Sequence, residues 1–442
     1  MKIKFIGATE GVTGSNYIVY TENHNFLVDL GMYQGEKSQS KNLEFDYKDI
    51  DFIILTHAHI DHIGKIPLIF KNGFNGKIYC SYETKYLSEI LLKDSAEIQK
   101  KETSKENEQR KKVGLEPKKT LYNLEDVQKA LSFFYPIDFK KEIQLDNVKF
   151  KLRKSNHILG SASIDLRINN KKILFSGDLG TRNNNLYPKI KPFEKDYNYI
   201  ILESTYGDTI HPNKKVRREK LKKLILKIYN NKEIGLIPTF AVGRLQNLIV
   251  EIKEIIKNDK TSKFKDIKFF IDSPLGKKAT DIYREYFKDI DFNSKNINWI
   301  EDLKETFKIL KSNEPKIILS SSGMCSGGKI LFYLKKYLEM DNTNIIFVGY
   351  QAKDTLGRAI LEKETVKLNN KIYEVKSKIH NLKGFSAHAD QKDLFKYIYN
   401  LDNLKKIFLT HGEKETKKIL KGELENKNFN VYIPEKNEVI KI

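Results

Sequence analysis

The residues best suited to chemistry lie in His57-Ala58-His59-Ile60-Asp61-His62, three imidazoles and a carboxylate within six positions. They follow the apolar run Phe52-Ile53-Ile54-Leu55, which reads as a buried strand delivering the histidines into a loop. Neutral imidazole and ionised carboxylate are the ligands that Zn²⁺ and similar borderline metals prefer. Without a metal, each of these ring nitrogens would need its own hydrogen-bond partner. His157, Asp178 and His411, further along the chain, extend the ligand set to His57, His59, Asp61, His62, His157, Asp178 and His411, enough for two ions. The Asp178 carboxylate is the natural bridge, since it can offer one oxygen to each ion. Water between two dications loses a proton near neutral pH, and the ions neutralise a developing oxyanion, so phosphodiester hydrolysis follows readily. A leaving alkoxide then needs a proton, and a positioned imidazole suits that task. Asp29 is expected to stand behind the histidine loop and orient one of its imidazoles.

Composition frames this site. The 442 residues allow two or three domains with well-buried cores. With 40% hydrophobic and 31% charged residues, the chain belongs with globular rather than disordered proteins. No apolar run approaches the ~20 residues of a membrane span, and Met1-Lys2-Ile3-Lys4-Phe5-Ile6 alternates like a strand rather than a signal peptide. Cys80 and Cys325 have no CxxC spacing and cannot build a disulfide framework, so both read as core residues of a cytoplasmic protein. The net charge of +21 favours a polyanionic partner, although lysine is abundant throughout.

The elements that must hold the site repeat one pattern. Phe26-Leu27-Val28 precedes Asp29, Lys172-Ile173-Leu174-Phe175 precedes Asp178, Tyr199-Ile200-Ile201-Leu202 precedes Glu203, and Ile407-Phe408-Leu409 precedes His411. Each places a ligand or proton-transferring group at the C-terminal end of a strand, where layered α/β proteins build their sites. Residues 94–125 are dense in charge and read as a solvated helix or excursion. Leu221, Leu224, Ile225 and Ile228 recur at helical spacing and open a block at about 207–370 with strands and helices of its own. That alternation suggests a parallel sheet in an inserted α/β domain.

At these residues the chain resembles the metallo-β-lactamase superfamily, and more narrowly its β-CASP nucleases. Four motifs occur in order: Asp29, His57 to His62, His157 in Asn156-His157-Ile158-Leu159-Gly160-Ser161, and Asp178. Glu203 in Glu203-Ser204-Thr205-Tyr206-Gly207, His388 in Gly384-Phe385-Ser386-Ala387-His388-Ala389-Asp390 and His411 in Leu409-Thr410-His411-Gly412-Glu413 resemble the three β-CASP motifs. The segments Pro238 to Gln246, Ser320 to Gly328 and Gly349 to Arg358 are similar to the RNA-cleaving branch. That branch includes the nuclease subunit of the pre-mRNA 3′-end cleavage and polyadenylation specificity factor and compact bacterial relatives.

The resemblance implies an αββα metallo-β-lactamase sandwich with an inserted β-CASP domain, divided at 1–206, 207–370 and 371–442. His57, His59 and His157 would hold one Zn²⁺, while Asp61, His62, Asp178 and His411 would hold the second or bridge the pair, with Mn²⁺ as an alternative metal. Glu203 would hydrogen-bond His388, the general acid, giving a catalytic set of His388, Glu203, Asp178 and Asp29. Glu203 has a simpler alternative as a cap of the turn at Ser204 and Thr205, and His388 as a cap of the helix that follows it. Arg244 and the Ser321-Ser322-Gly323 loop are expected to contact substrate phosphate, with an acid partner as the alternative for Arg244 and a tight turn as that for the loop. His24, His211 and His380 carry no motif context and read as structural or exposed. The implied activity is endonucleolytic hydrolysis of single-stranded RNA, with 5′→3′ exonuclease action and small-molecule hydrolysis as alternatives. A homodimer is left open, and no membrane contact is expected.

Overall fold

The computed structural model describes residues 1–33, 43–189, 191–194, 196–259, 263–368, 371–401 and 403–442. The described chain divides into two compact units. One comprises Met1–Thr181, Lys189–Ile210 and His388–Ile442, and the other Arg182–Pro188 and His211–Ala387. These units follow compactness rather than chain order. Arg182–Pro188 therefore falls with the second unit, and the first unit resumes at His388.

The first unit contains two seven-stranded sheets. One runs in the order Glu438–Lys441, Lys2–Phe5, Asn16–Tyr20, Asn25–Leu30, Phe52–Ile54, Ile78–Cys80 and Phe134–Pro136. The other runs Val431–Tyr432, Lys406–Thr410, Tyr199–Glu203, Lys171–Phe175, Ala162–Ile168, Val148–Lys154 and Ile143–Leu145. Alternate residues of both sheets meet in one core: Ile3, Phe5, Val19, Phe26 and Ile54 from the first, Phe150, Leu152, Ile164, Phe175 and Phe408 from the second. The intervening residues of the second sheet, including Leu174, Ile200, Leu202 and Leu409, point the other way. They bury Leu394 and Ile398 of helix Gln391–Ile398 and Leu420 and Leu424 of helix Lys414–Glu425. Period-2 apolar faces on strands and period-3.6 stripes on helices thus generate layered packing directly.

Strand direction explains why the ligands converge. Lys171–Phe175, Tyr199–Glu203 and Lys406–Thr410 are mutually parallel, with Glu203 in register beside Thr410. Asn25–Leu30 and Phe52–Ile54 are parallel in the facing sheet. The C-terminal ends of the three strands of the second sheet, carrying Asp178, Glu203 and His411, therefore share one rim. The expected loop after Phe52–Ile54 is partly helical: His57 and His59 are in the loop, whereas Asp61 and His62 belong to the short helix Ile60–Ile63. Asp29 lies within its strand, with φ of +57°.

The second unit is built on a six-stranded sheet ordered Ile297–Trp299, Phe269–Asp272, Lys316–Ser320, Ile234–Pro238, Thr343–Phe347 and Lys378–Asn381. Every pairing in it is parallel, and its three central strands are buried at every residue, as strands covered on both faces require. The charged stretch after residue 94 forms the far end of the long helix Tyr82–Lys112 in the first unit, buried only near its start. No helix among the described residues is long and apolar enough to cross a membrane.

The histidine loop is pressed against the strand that carries Asp29. Ser15 N–H donates to Asp61 O at 2.8 Å, and Met32 N–H donates to Ile60 O at 3.0 Å. A Cβ on Gly31 would fall 1.6 Å from Asp61 O and 2.3 Å from its carbon, backbone atoms that no rotamer change can move aside. Gly31→Ala is expected to lower the stability of metal-free protein by about 1–3 kcal/mol and to weaken metal binding through the displaced loop. Thermal melts with a metal titration check this, and wild-type values for both would refute the packing argument.

Candidate metal centre

The first group of donors is His57, His59, His157 and Asp178, whose ligand atoms all lie within 4.8 Å of one another. His59 Nδ1 stands 3.1 Å from His57 Nε2 and 3.3 Å from His157 Nε2. Asp178 Oδ2 lies 3.4 Å from His57 Nε2 and 3.5 Å from His157 Nε2. The second group is Asp61, His62 and His411, with His411 Nε2 3.5 Å from Asp61 Oδ2. Asp178 Oδ1, the other oxygen of the shared carboxylate, lies 3.4 Å from His62 Nε2. Asp178 therefore turns one oxygen to each group.

These residues fit metal ions on physical grounds. A tetrahedral ion with ligands at about 2.0–2.1 Å separates its ligand atoms by about 3.3 Å, close to the spacings of the first group. Among the described residues, Asp178 Oδ1 and His411 Nε2 are buried without a hydrogen-bond partner. Such orphaned atoms are costly unless a cation satisfies them.

The electrostatics agree. Burial, reinforced by neighbouring His62, lowers the His57 pKa to about 3. Burial likewise holds His59 below and His157 well below the usual imidazole value. All three are thus neutral ligands at neutral pH. Burial would raise the Asp178 pKa, but His411, His62 and His57 outweigh it and keep that carboxylate ionised. His62 shows the opposite balance: burial disfavours its charge, yet Asp178 and Asp29 lift its pKa well above the ordinary value.

A second tier of contacts orients the rings. Asp29 Oδ1 accepts from Thr56 N–H at 2.8 Å, and its Oδ2 accepts from Thr56 Oγ1 at 2.7 Å and from His62 Nδ1 at 2.7 Å. His62 Nδ1–H is thereby committed to Asp29, which turns Nε2 toward Asp178. Because the Thr56 hydroxyl donates to Asp29, it accepts from His57 Nδ1–H at 3.1 Å, which aims His57 Nε2 at the first group. Thr205 does the same for His411: its Oγ1 lies 3.0 Å from His411 Nδ1 and donates to the His411 carbonyl at 3.2 Å. Sequence reasoning singled out neither threonine in this role. The only signal is position, one residue before His57 and two after Glu203. A cavity of about 20 Å³, room for one water, lies among Ser15, Tyr17, Thr56, Asp178, Glu203 and His411.

His388 stands at the rim of this cluster, its side chain 17% exposed. His388 Nδ1 lies 3.2 and 3.3 Å from the two Glu203 oxygens and 3.9 Å from Asp178 Oδ2. Burial opposes its charge, but Glu203 and Asp178 prevail and raise its pKa above the usual value. His388 is within ligand reach of Asp178 and His411 as well, but its Nδ1 is engaged by Glu203. The helix-cap alternative for His388 is overturned, since Asp390 accepts from Asp393 N–H and caps helix Gln391–Ile398 itself. Glu203 does accept from Thr205 N–H at 3.3 Å, as a turn cap would, and also from Leu179 N–H at 2.7 Å.

The residues expected to bind substrate all lie in the second unit. Arg244 opens helix Arg244–Lys257 and is buried. Ser321 Oγ pairs with Ser273 Oγ at 2.7 Å, tying the loop to the start of helix Pro274–Tyr286, while Ser322 Oγ bonds Gly327 and closes the turn. Cys80 and Cys325 are buried free thiols. Of the histidines without motif context, His211 is buried, His24 lies between Asp51 and Asp146, and His380 meets Asn344.

Asp178→Ala is expected to abolish metal retention, because one side chain serves both donor groups. Thr56→Val and Thr205→Val should each weaken metal binding by about 10–100-fold while leaving every ligand in place. Metal content after desalting and calorimetric titration measure both effects.

Comparison with known proteins matches this geometry. Residues 10–205 match the metallo-beta-lactamase superfamily, residues 245–360 the Beta-Casp domain, and residues 372–434 a domain described as the RNA specificity domain of Zn-dependent metallo-hydrolases. The chain is 34% identical over 427 residues to an RNase J-like protein of Methanocaldococcus jannaschii, covering 93% of this chain and 92% of that one. It is 29% identical over 435 residues to a ribonuclease of Thermus thermophilus, covering 94% of each. A crystal structure of an Enterococcus faecalis V583 protein of unknown function shares the fold, with a TM-score of 0.55, 14% identity and 99% coverage of both chains. The chain belongs to the β-CASP RNA-nuclease family of the metallo-β-lactamase superfamily.

Proposed function

We propose that this protein hydrolyses phosphodiester bonds of single-stranded RNA endonucleolytically, using two zinc ions. The observation that carries the reading is the shared Asp178 carboxylate, facing a donor group on each side, with the His388–Glu203 pair beside it. RNA as substrate is supported by the match over residues 372–434 and by the ribonuclease names of the relatives. The same N/O donors also suit Mn²⁺. By chain order, residues 1–206 and 371–442 are taken as the catalytic domain and 207–370 as the β-CASP domain.

Each side chain has a task in this reading. His57, His59 and His157 would hold one ion and Asp61, His62 and His411 the other, with Asp178 available to both. Bound there, the ions supply Lewis acidity and lower the pKa of water. Asp29 and Thr56 fix the tautomers of His62 and His57. His388, its Nδ1–H donated to Glu203, protonates the leaving oxygen from Nε2. Glu203 and Asp178, against burial, raise the His388 pKa and so favour the protonated ring before transfer.

His388→Ala is expected to retain both metals and to slow cleavage by ~10²–10⁴-fold. A 5′-labelled single-stranded RNA should give discrete internal fragments with wild type that are absent with the variant. Release of labelled mononucleotide alone would show a 5′→3′ exonuclease instead. Loss of metal from the variant would make His388 a ligand and overturn its role as acid.

A further inference from the structure

Helix Lys214–Asn230 of the second unit carries eight basic side chains against a single acid, Glu219. Three of the eight are compensated. Arg217 and Arg218 hold the buried Glu251 at 3.1 and 2.6 Å, and Lys222 faces Asp259 at 3.5 Å. The other five, Lys214, Lys215, Lys220, Lys223 and Lys227, are exposed and make no ion pair among the described residues. Lys220, Lys223 and Lys227 recur at i, i+3 and i+7, which sets them in one stripe about 10 Å long. The stripe lies off the face that buries Leu221, Ile225 and Ile228 against the unit. Burial first, then Lys227 and Lys378 working against Glu233, holds His380 of the edge strand Lys378–Asn381 below its usual pKa.

A general abundance of lysine does not produce this arrangement. The other long lysine-rich helix, Tyr82–Lys112, interleaves its exposed lysines with Glu102, Glu106 and Glu108. Like charges three and four residues apart repel, and on helix Lys214–Asn230 only Glu219 relieves them. A polyanion laid along the stripe would replace that repulsion with phosphate contacts and release its counterions.

We propose that Lys220, Lys223 and Lys227 form a binding surface for the phosphate backbone of single-stranded RNA, separate from the metal centre. The identity of the polyanion as RNA rests on the ribonuclease reading above; the surface itself rests on the stripe. Because its lysines contact phosphate alone, the surface is indifferent to base sequence.

The test compares Lys220→Gln/Lys223→Gln/Lys227→Gln with a control triple on the other helix, Lys100→Gln/Lys101→Gln/Lys105→Gln. Both triples remove equal charge from the protein. Binding of a labelled RNA of ~30 nucleotides is followed by anisotropy across a salt series, in metal-loaded protein with His388→Ala to preserve the RNA. The slope of log K against log salt should fall by about 2 in the stripe variant, roughly 0.7 for each lost phosphate contact, and stay unchanged in the control. An equal fall in both triples overturns the proposal, since the net charge alone then attracts RNA. An unchanged slope in both overturns it as well. So does a stripe variant that loses affinity only for phosphatidylserine vesicles, which would make the surface one for membranes. If wild type binds RNA with the expected slope difference but cleaves none, the ribonuclease reading fails and the surface stands.

Discussion

The structure is organised around one demand: a buried carboxylate, Asp178, must sit among imidazoles, three of which, His57, His59 and His157, burial keeps neutral. Nitrogen atoms brought to 3.1–3.3 Å around His59 Nδ1 have no stable arrangement as hydrogen-bond partners alone, because a neutral ring offers one donor and one acceptor. The arrangement is costly in the empty protein and favourable once cations occupy it. Stability and function are therefore linked through the same residues, and metal binding is part of what holds the rim of the sandwich together.

That demand propagates outward as geometry. Rings can face one point only if their other nitrogens are tied down, which is what Asp29, Thr56 and Thr205 do. Backbone conformation bends to the same end: Asp29, Asn156 and His411 all have positive φ, at +57°, +62° and +51°. Asn, Asp and His tolerate the left-handed region better than bulkier residues, and strain of this kind persists where surrounding packing over-determines it. Here the over-determination comes from two facing sheets and a close backbone approach at Gly31.

Charge is handled differently in the two places where it matters. In the metal centre, burial and facing carboxylates act on each ring separately, lowering the pKa of His57 and His157 and raising that of His62 and His388. On helix Lys214–Asn230, charge acts through solvent, where individual interactions are weak and only a run of uncompensated lysines produces a useful field. The first arrangement sets protonation atom by atom, and the second would give the proposed surface its affinity without sequence preference.

Much of this was legible in the chain. The apolar runs before Asp178, Glu203 and His411 are strands, and those residues lie at their ends, because period-2 burial and a following polar turn are local properties. The histidine spacing announced a metal site because few other uses of so many imidazoles are stable. Other features depended on which polar atoms meet, and had no local signature. Thr56 and Thr205 look like ordinary threonines until their hydroxyls are seen against His57 and His411, the second from 206 positions away. His388 could equally have capped its helix, and Asp390 took that task. The hydroxyls of Ser321 and Ser322 are engaged by Ser273 and Gly327, partners that the loop's composition does not announce. The sequence by itself determined which residue types could do chemistry and which segments could bury their faces. Only the tertiary structure decided which nitrogen of each ring faces the site and which hydroxyl holds it there, because hydrogen-bond direction is set by atoms that meet in space and not by their order along the chain.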